Sequence, residues 1–140
     1  YVAADTLKPS STSRYYAINL AYNVSFNLNG SIVKLVPNSH SRYAVFMFNG
    51  INNSDVYNGI IVADREEHKC EDGSYIKINK KCANEKYPSH EWGHVVWIID
   101  SDNIVSFEYK CEDYNLKCDF EDNKVNIVIK NKYRCDILDT

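Results

Sequence analysis

Apolar and polar residues alternate over long stretches of this chain. Between residues 18 and 28 the apolar positions fall at every second place: Ile18, Leu20, Tyr22, Val24, Phe26 and Leu28. Asn19, Ala21, Asn23, Ser25 and Asn27 lie between them. Successive side chains of a strand point to opposite faces, so this period predicts one strand with a buried and a wet face. Asn29-Gly30 follows, and then a second β-rich run over 31–36. Asn-Gly supplies the two positive-φ residues of a tight turn, so the segment reads as a β-hairpin.

Strand-like segments continue downstream. Residues 43–48 (Tyr-Ala-Val-Phe-Met-Phe) are apolar throughout, the pattern of a strand buried on both faces. Residues 60–63, 74–79, 95–99, 104–111, 124–130 and 134–138 alternate or are β-branched and aromatic, and Gly- and Asn-rich turns separate several of them. About nine strands at roughly ten-residue spacing predict an all-β antiparallel sandwich or flattened barrel. No window carries a capped helical stripe, although 64–69 has room for one helical turn. Residues 1–14, with Ser10-Ser-Thr-Ser13, read as a loose N-terminal arm ahead of a single domain over 15–140.

A net charge of −3 without a basic stripe argues against a nucleic-acid partner, and no apolar run has the length of a membrane span. The chain begins at Tyr1 without an initiator Met or a signal peptide, the form expected of a mature or trimmed product. Cysteines fall at 70, 82, 111, 118 and 135, with no CxxC pair. Irregular spacing in a small β-rich chain points to disulfides, with one thiol left over. The preferred pairing is Cys70 or Cys82 with Cys135, and Cys111 with Cys118. Asn23, Asn29 and Asn52 each start an N-x-Ser triplet, the acceptor pattern for N-glycans. Together with the cysteines they point to the secretory pathway.

His90-Glu91-Trp92-Gly93-His94 matches H-E-x-x-H, and Asp100 falls where some short zinc peptidases place a third ligand. On a helix, i and i+4 imidazoles share a face and bind Zn²⁺ while Glu91 activates the metal-bound water. The chemistry therefore requires a helix over 89–97. The residues after His94 are Val-Val-Trp-Ile-Ile, strong strand formers. In a strand the two histidines would stand about 13 Å apart, too far to chelate one ion. The local reading is a polar loop entering a core strand with Trp97 inside. The acidic groups Glu66-Glu67, Glu71-Asp72 and 119–122 lack the spacing of a known Ca²⁺ loop and read as solvated faces. Tyr87, Trp92 and Tyr114, in or beside polar loops, are candidate contacts for a partner protein, because aromatic residues are enriched at interfaces.

Two segments carry a family likeness: Cys70-Glu-Asp-Gly-Ser-Tyr-Ile-Lys-Ile-Asn-Lys-Lys-Cys82, and the alternating Lys-Val-Asn-Ile-Val-Ile-Lys between Cys118 and Cys135. With the Asn-, Lys-, Ile- and Tyr-rich composition, they resemble the poxvirus family of secreted immune-evasion β-sandwiches. That resemblance implies a secreted decoy that captures an extracellular host protein such as a cytokine, chemokine or receptor, with no cofactor. Val96-Trp-Ile-Ile-Asp-Ser-Asp-Asn103 is similar to a lipocalin segment, which implies a small-ligand carrier instead. The third reading is a zinc metallopeptidase using His90, His94, Asp100 and Glu91.

Overall fold

A computed structural model of the chain describes residues 1–40, 42–64, 68–76, 80–83, 93–102, 104, 109–113, 116–117, 127–130 and 137–139. Among these residues the fold is all-β, with no helix. The strands are shorter than expected and most of them run parallel to their neighbours, so the antiparallel order is not the one adopted.

The chain winds in stacked coils. After β1 (Thr6–Leu7), the first coil comprises β2 (Arg14–Asn19), β3 (Ser25–Asn27) and β4 (Ile32–Lys34). The second comprises β5 (Arg42–Asn49), β6 (Asp55–Tyr57) and β7 (Gly59–Val62). Each strand of the first coil lies parallel to its counterpart in the second: Tyr15 beside Tyr43, Ser25 beside Asp55, Ile32 beside Ile60. Parallel neighbours need a long crossover, and here the remainder of each coil supplies it. After the short antiparallel pair β8 (His68–Lys69) and β9 (Tyr75–Ile76), β10 (Gly93–Ile99) stacks on β5. Beyond β11 (Tyr109–Asp113) and β12 (Leu116–Lys117), β13 (Ile127–Lys130) stacks on β7 and β14 (Ile137–Asp139) on β10. Among the described residues four sheets result, ordered β1-β2-β5-β10-β14, β12-β11-β13-β7-β4, β3-β6 and β8-β9. The architecture is a parallel β-solenoid, and its sheets do not close into a barrel.

The corners explain the local sequence. Asn29 and Gly30 both take positive φ, and Ser31 N donates to Leu28 O at 2.9 Å. The Asn-Gly turn therefore forms as its chemistry demands, but it joins two different sheets. β3 pairs with β6 and β4 with β7, so the hairpin over 18–36 does not form. Asn23 and Asn53 hold left-handed φ at equivalent corners, and Asn53 Nδ2 donates to Asn23 Oδ1 at 3.1 Å. Asparagine tolerates this backbone region better than other residues with a Cβ.

The core sits inside the coils. Ala17-Ile18, Val45-Phe46 and Val95-Val96 each place two consecutive residues against the same inner cluster, which a straight strand forbids. The three pairs share one position in the stacked strands β2, β5 and β10, so the sheet bends there. On the outer face Ala44, Met47 and Trp97 form a second buried cluster, and the Arg14 guanidinium lies 4.9 Å from the Trp97 ring centre. β5 is thus buried on both faces, as its unbroken apolar run predicts. The N-terminal arm is held by backbone hydrogen bonds: Val2 bridges Leu35, and β1 pairs with β2.

At Gly59 the first two coils approach closely. A Cβ there would lie 2.6 Å from Leu28 Cβ and 2.9 Å from Ser31 O, one of them backbone that cannot yield. Gly59 is not at positive φ, so the whole penalty comes from space. Gly59→Ala is expected to lower stability by about 1–3 kcal/mol, read as a lower urea midpoint at unchanged m-value. An unchanged midpoint would show that these coils are not in contact at Gly59.

Candidate functional site

A cleft of about 370 Å³ opens where three separate segments meet. The N-terminal arm contributes Ala3 and Asp5. The connection from β4 to β5 contributes residues 36–40. The end of β8 and the turn after it contribute Lys69, Cys70 and Glu71. Solenoid stacking is what makes them neighbours: the arm lies along the first coil, 36–40 leads into the second, and 69–71 follows it.

The cleft wall is held by hydrogen bonds that run into the core. Asn38 and Asp64 are both buried. Asn38 Nδ2 donates to Asp64 Oδ2 at 3.2 Å, and the Asn38 backbone N–H reaches the same oxygen at 3.4 Å. Tyr43 Oη donates to Asp64 Oδ1 at 2.5 Å. One carboxyl group thus gathers donors from the 36–40 connection and from β5. Asn38 in turn accepts from His40 N through its side chain at 2.9 Å, and from Lys69 N through its carbonyl at 3.2 Å. The His40 ring stacks on Tyr15 with centroids 3.6 Å apart and planes 11° from parallel, and its Nε2 lies 3.1 Å from Asp5 Oδ1. The arm, the connection and the β8 end are therefore tied to one another through Asn38 and His40.

A disulfide closes the third wall. Cys70 is bonded to Cys82, with Cα atoms 5.7 Å apart. This corrects the expected partnership of Cys70 or Cys82 with Cys135; Cys111 belongs to β11, and Cys118 and Cys135 lie outside the described residues. The physical reason is local. Cys70 N donates to Ser74 O and Gly73 N to Cys70 O, a tight turn that folds the chain back as β8 and β9. Asp72 accepts from Ser74 N at 2.9 Å and Ser74 Oγ at 2.6 Å. These hydrogen bonds hold its carboxyl below the usual carboxylate range.

The other sequence candidates separate clearly. Asn23, Asn29 and Asn52 are all exposed at corners of the solenoid, at the ends of β3 and ahead of β6. Tyr87, Trp92, Tyr114, His90 and Glu91 lie outside the described residues. Gly93 and His94 belong to β10, where His94 pairs with Ala44 and its ring tilts against Trp97 at 5.9 Å. The helix that a zinc peptidase requires over 89–97 is thus replaced by a strand from Gly93 onward, and the β-branched run after His94 is the cause. Asp100 is exposed in a left-handed turn after that strand. Among the described residues the closed barrel of a lipocalin-like carrier is likewise not formed, because the two five-stranded sheets stay open.

Asp5, His40 and Lys69 were not singled out by the sequence, and no local signal marks them. Their proximity depends on coils stacking, which residue spacing alone does not display. The assembled cleft presents acidic Asp5 and Glu71 beside basic Lys69 and His40, chemistry suited to recognising a polar surface of mixed charge. Among the described residues no group of His, Cys, Asp and Glu is placed to hold a metal ion, and no helix is long and apolar enough to cross a membrane. No family model, curated protein or solved structure matches the chain.

Proposed function

We propose that this chain is a secreted, N-glycosylated binding domain that captures another extracellular protein through the cleft of Asp5, His40, Lys69 and Glu71. The observation that carries the reading is the separation of this cleft from the three sequon corners. Asn23, Asn29 and Asn52 flank the β3–β6 sheet, whereas the cleft opens at the corner between β4 and β5. Glycans on those asparagines leave the cleft accessible. The Cys70–Cys82 disulfide in its wall suits an oxidising compartment. The resemblance to poxvirus immune-evasion proteins supplies the partner class to try first: cytokines, chemokines and their receptors, with the chain acting as a decoy.

The test is an array of extracellular proteins probed with the wild type, Lys69→Glu and Glu71→Lys. Both side chains are exposed, and neither holds the Asn38 network through its charge. A specific binder is expected, with association slowed about tenfold by one of the two reversals and a salt dependence that changes with it. Absence of any binder, or binding indifferent to both substitutions, would overturn the proposal.

A further inference from the structure

Among the described residues the first coil lies at one end of the stack, and residues 1–7 cover only part of it. β1 pairs with the outer edge of β2. Val2 covers the end of β4, donating to Lys34 O at 2.9 Å and accepting from Val36 N at 2.8 Å. β3 has no such cover among the described residues. Its pairing runs entirely toward β6, and Ser25, Phe26 and Asn27 are all exposed. Large apolar side chains of the same coil are exposed: Tyr22 is 58% exposed, Phe26 38% and Ile32 64%.

A bare strand edge invites pairing with another chain, and proteins usually guard such edges with Lys or other charges. Here residues 15–33 contain no charged side chain at all. The two positions that bracket β3, Asn23 and Asn29, are instead both glycan acceptor sequons at exposed corners. We infer that glycans on Asn23 and Asn29 complete the cap of the solenoid, standing at the two ends of β3 and keeping its edge from pairing with the same edge of a second copy. The inference rests on the glycosylated, secreted reading above. It assigns those two sugars a task that the Asn52 glycan does not share, because Asn52 precedes β6, whose Asp55 and Val56 are buried.

The experiment expresses the chain in a glycosylating secretory host as wild type, as Ser25→Ala/Ser31→Ala, and as Asn52→Asp. The serine changes abolish both sequons while leaving Asn23 and Asn29 in their left-handed corners. Asn52→Asp keeps the acceptor for Asp102 N. Intact mass reports occupancy, and light scattering on a size-exclusion column reports assembly. The wild type and Asn52→Asp are expected to be monomeric. The double serine variant is expected to at least double its polypeptide mass with rising concentration. Ser25→Lys in place of Ser25→Ala, which also abolishes the Asn23 sequon, is expected to restore the monomer by placing a charge on the exposed edge strand. Enzymatic removal of glycans from folded wild type gives the same comparison without any substitution. Sugars present on Asn23 and Asn29, with monomers throughout, would overturn this inference and leave the functional reading standing. Wild type carrying no sugar at either site would overturn both.

Discussion

Phe46→Ala is expected to cost about 3–5 kcal/mol of stability, a large part of the total for a domain of this size. Phe46 is fully buried at the bend of β5. Its register partners are Ile18 on β2 and Val96 on β10, and the Phe26 ring lies 6.3 Å away. Loss of a buried aromatic ring leaves a cavity whose penalty depends on how far its surroundings can relax. Here β2 and β10 are held by backbone hydrogen bonds on either side of β5, so the walls cannot close in. The effect therefore belongs at the upper end of the range. Chemical denaturation measures it, with Tyr75→Ala, 55% exposed, as the comparison, expected to change stability by no more than about 0.5 kcal/mol. A loss below about 1.5 kcal/mol for Phe46→Ala would mean that the bend is not the packed centre of the core.

Asp64→Ala is expected to cost about 2–4 kcal/mol, since a buried donor left without its acceptor forfeits about 1–3 kcal/mol. The Tyr43 hydroxyl, the Asn38 side-chain amide and the Asn38 backbone N–H all converge on this carboxyl. Burying a carboxyl group is itself unfavourable, and its removal returns part of the loss; the stranded donors outweigh that return. Tyr43→Phe in the Asp64→Ala background removes one of them. The double variant is therefore expected to be less damaged than the sum of the two single variants, by about 1 kcal/mol or more, in a double-mutant cycle. Strict additivity would show that the two groups do not share a hydrogen bond. Asp64→Asn separates geometry from charge: its Nδ2 would replace one acceptor oxygen, against either the Asn38 donors or the Tyr43 hydroxyl, so it is expected to destabilise, though less than Asp64→Ala.

Individual strands were legible in the sequence, whereas their arrangement was not. The unbroken apolar run in β5 and the β-branched runs of β7 and β10 announce strands because nothing local competes with them. The stretch 18–28 misleads for a definite reason. Its alternation is real, but Leu20 and Leu28 are buried at corners while Tyr22 and Phe26 stay exposed, so the period reflects a winding coil instead of one flat strand. The repeat between coils was hidden by a shift in offset. Tyr15 lies beside Tyr43 and Ile32 beside Ile60, each 28 residues on, but Ser25 lies beside Asp55, 30 residues on. Two residues are added at the corner carrying Asn52 and Asn53, and two are lost at the corner carrying Asn58. A search at one fixed period therefore loses register midway. The same winding explains the cleft, because no spacing rule relates Asp5, His40 and Lys69. For the cysteines, pairing over a distance was expected where a local turn at Gly73 brings Cys70 and Cys82 together.

The stacking of coils also determines where the molecule opens. In a globule every surface element leans on a common centre, but a coil of a solenoid leans only on its neighbours. Among the described residues the first coil has β5, β6 and β7 on one side and the N-terminal arm on the other. Its amide hydrogens therefore exchange with solvent through fraying of the end, ahead of those in β5, whose protons are released only when the stack itself comes apart. Protection should thus grade along the solenoid axis, with β3 as the first strand to yield.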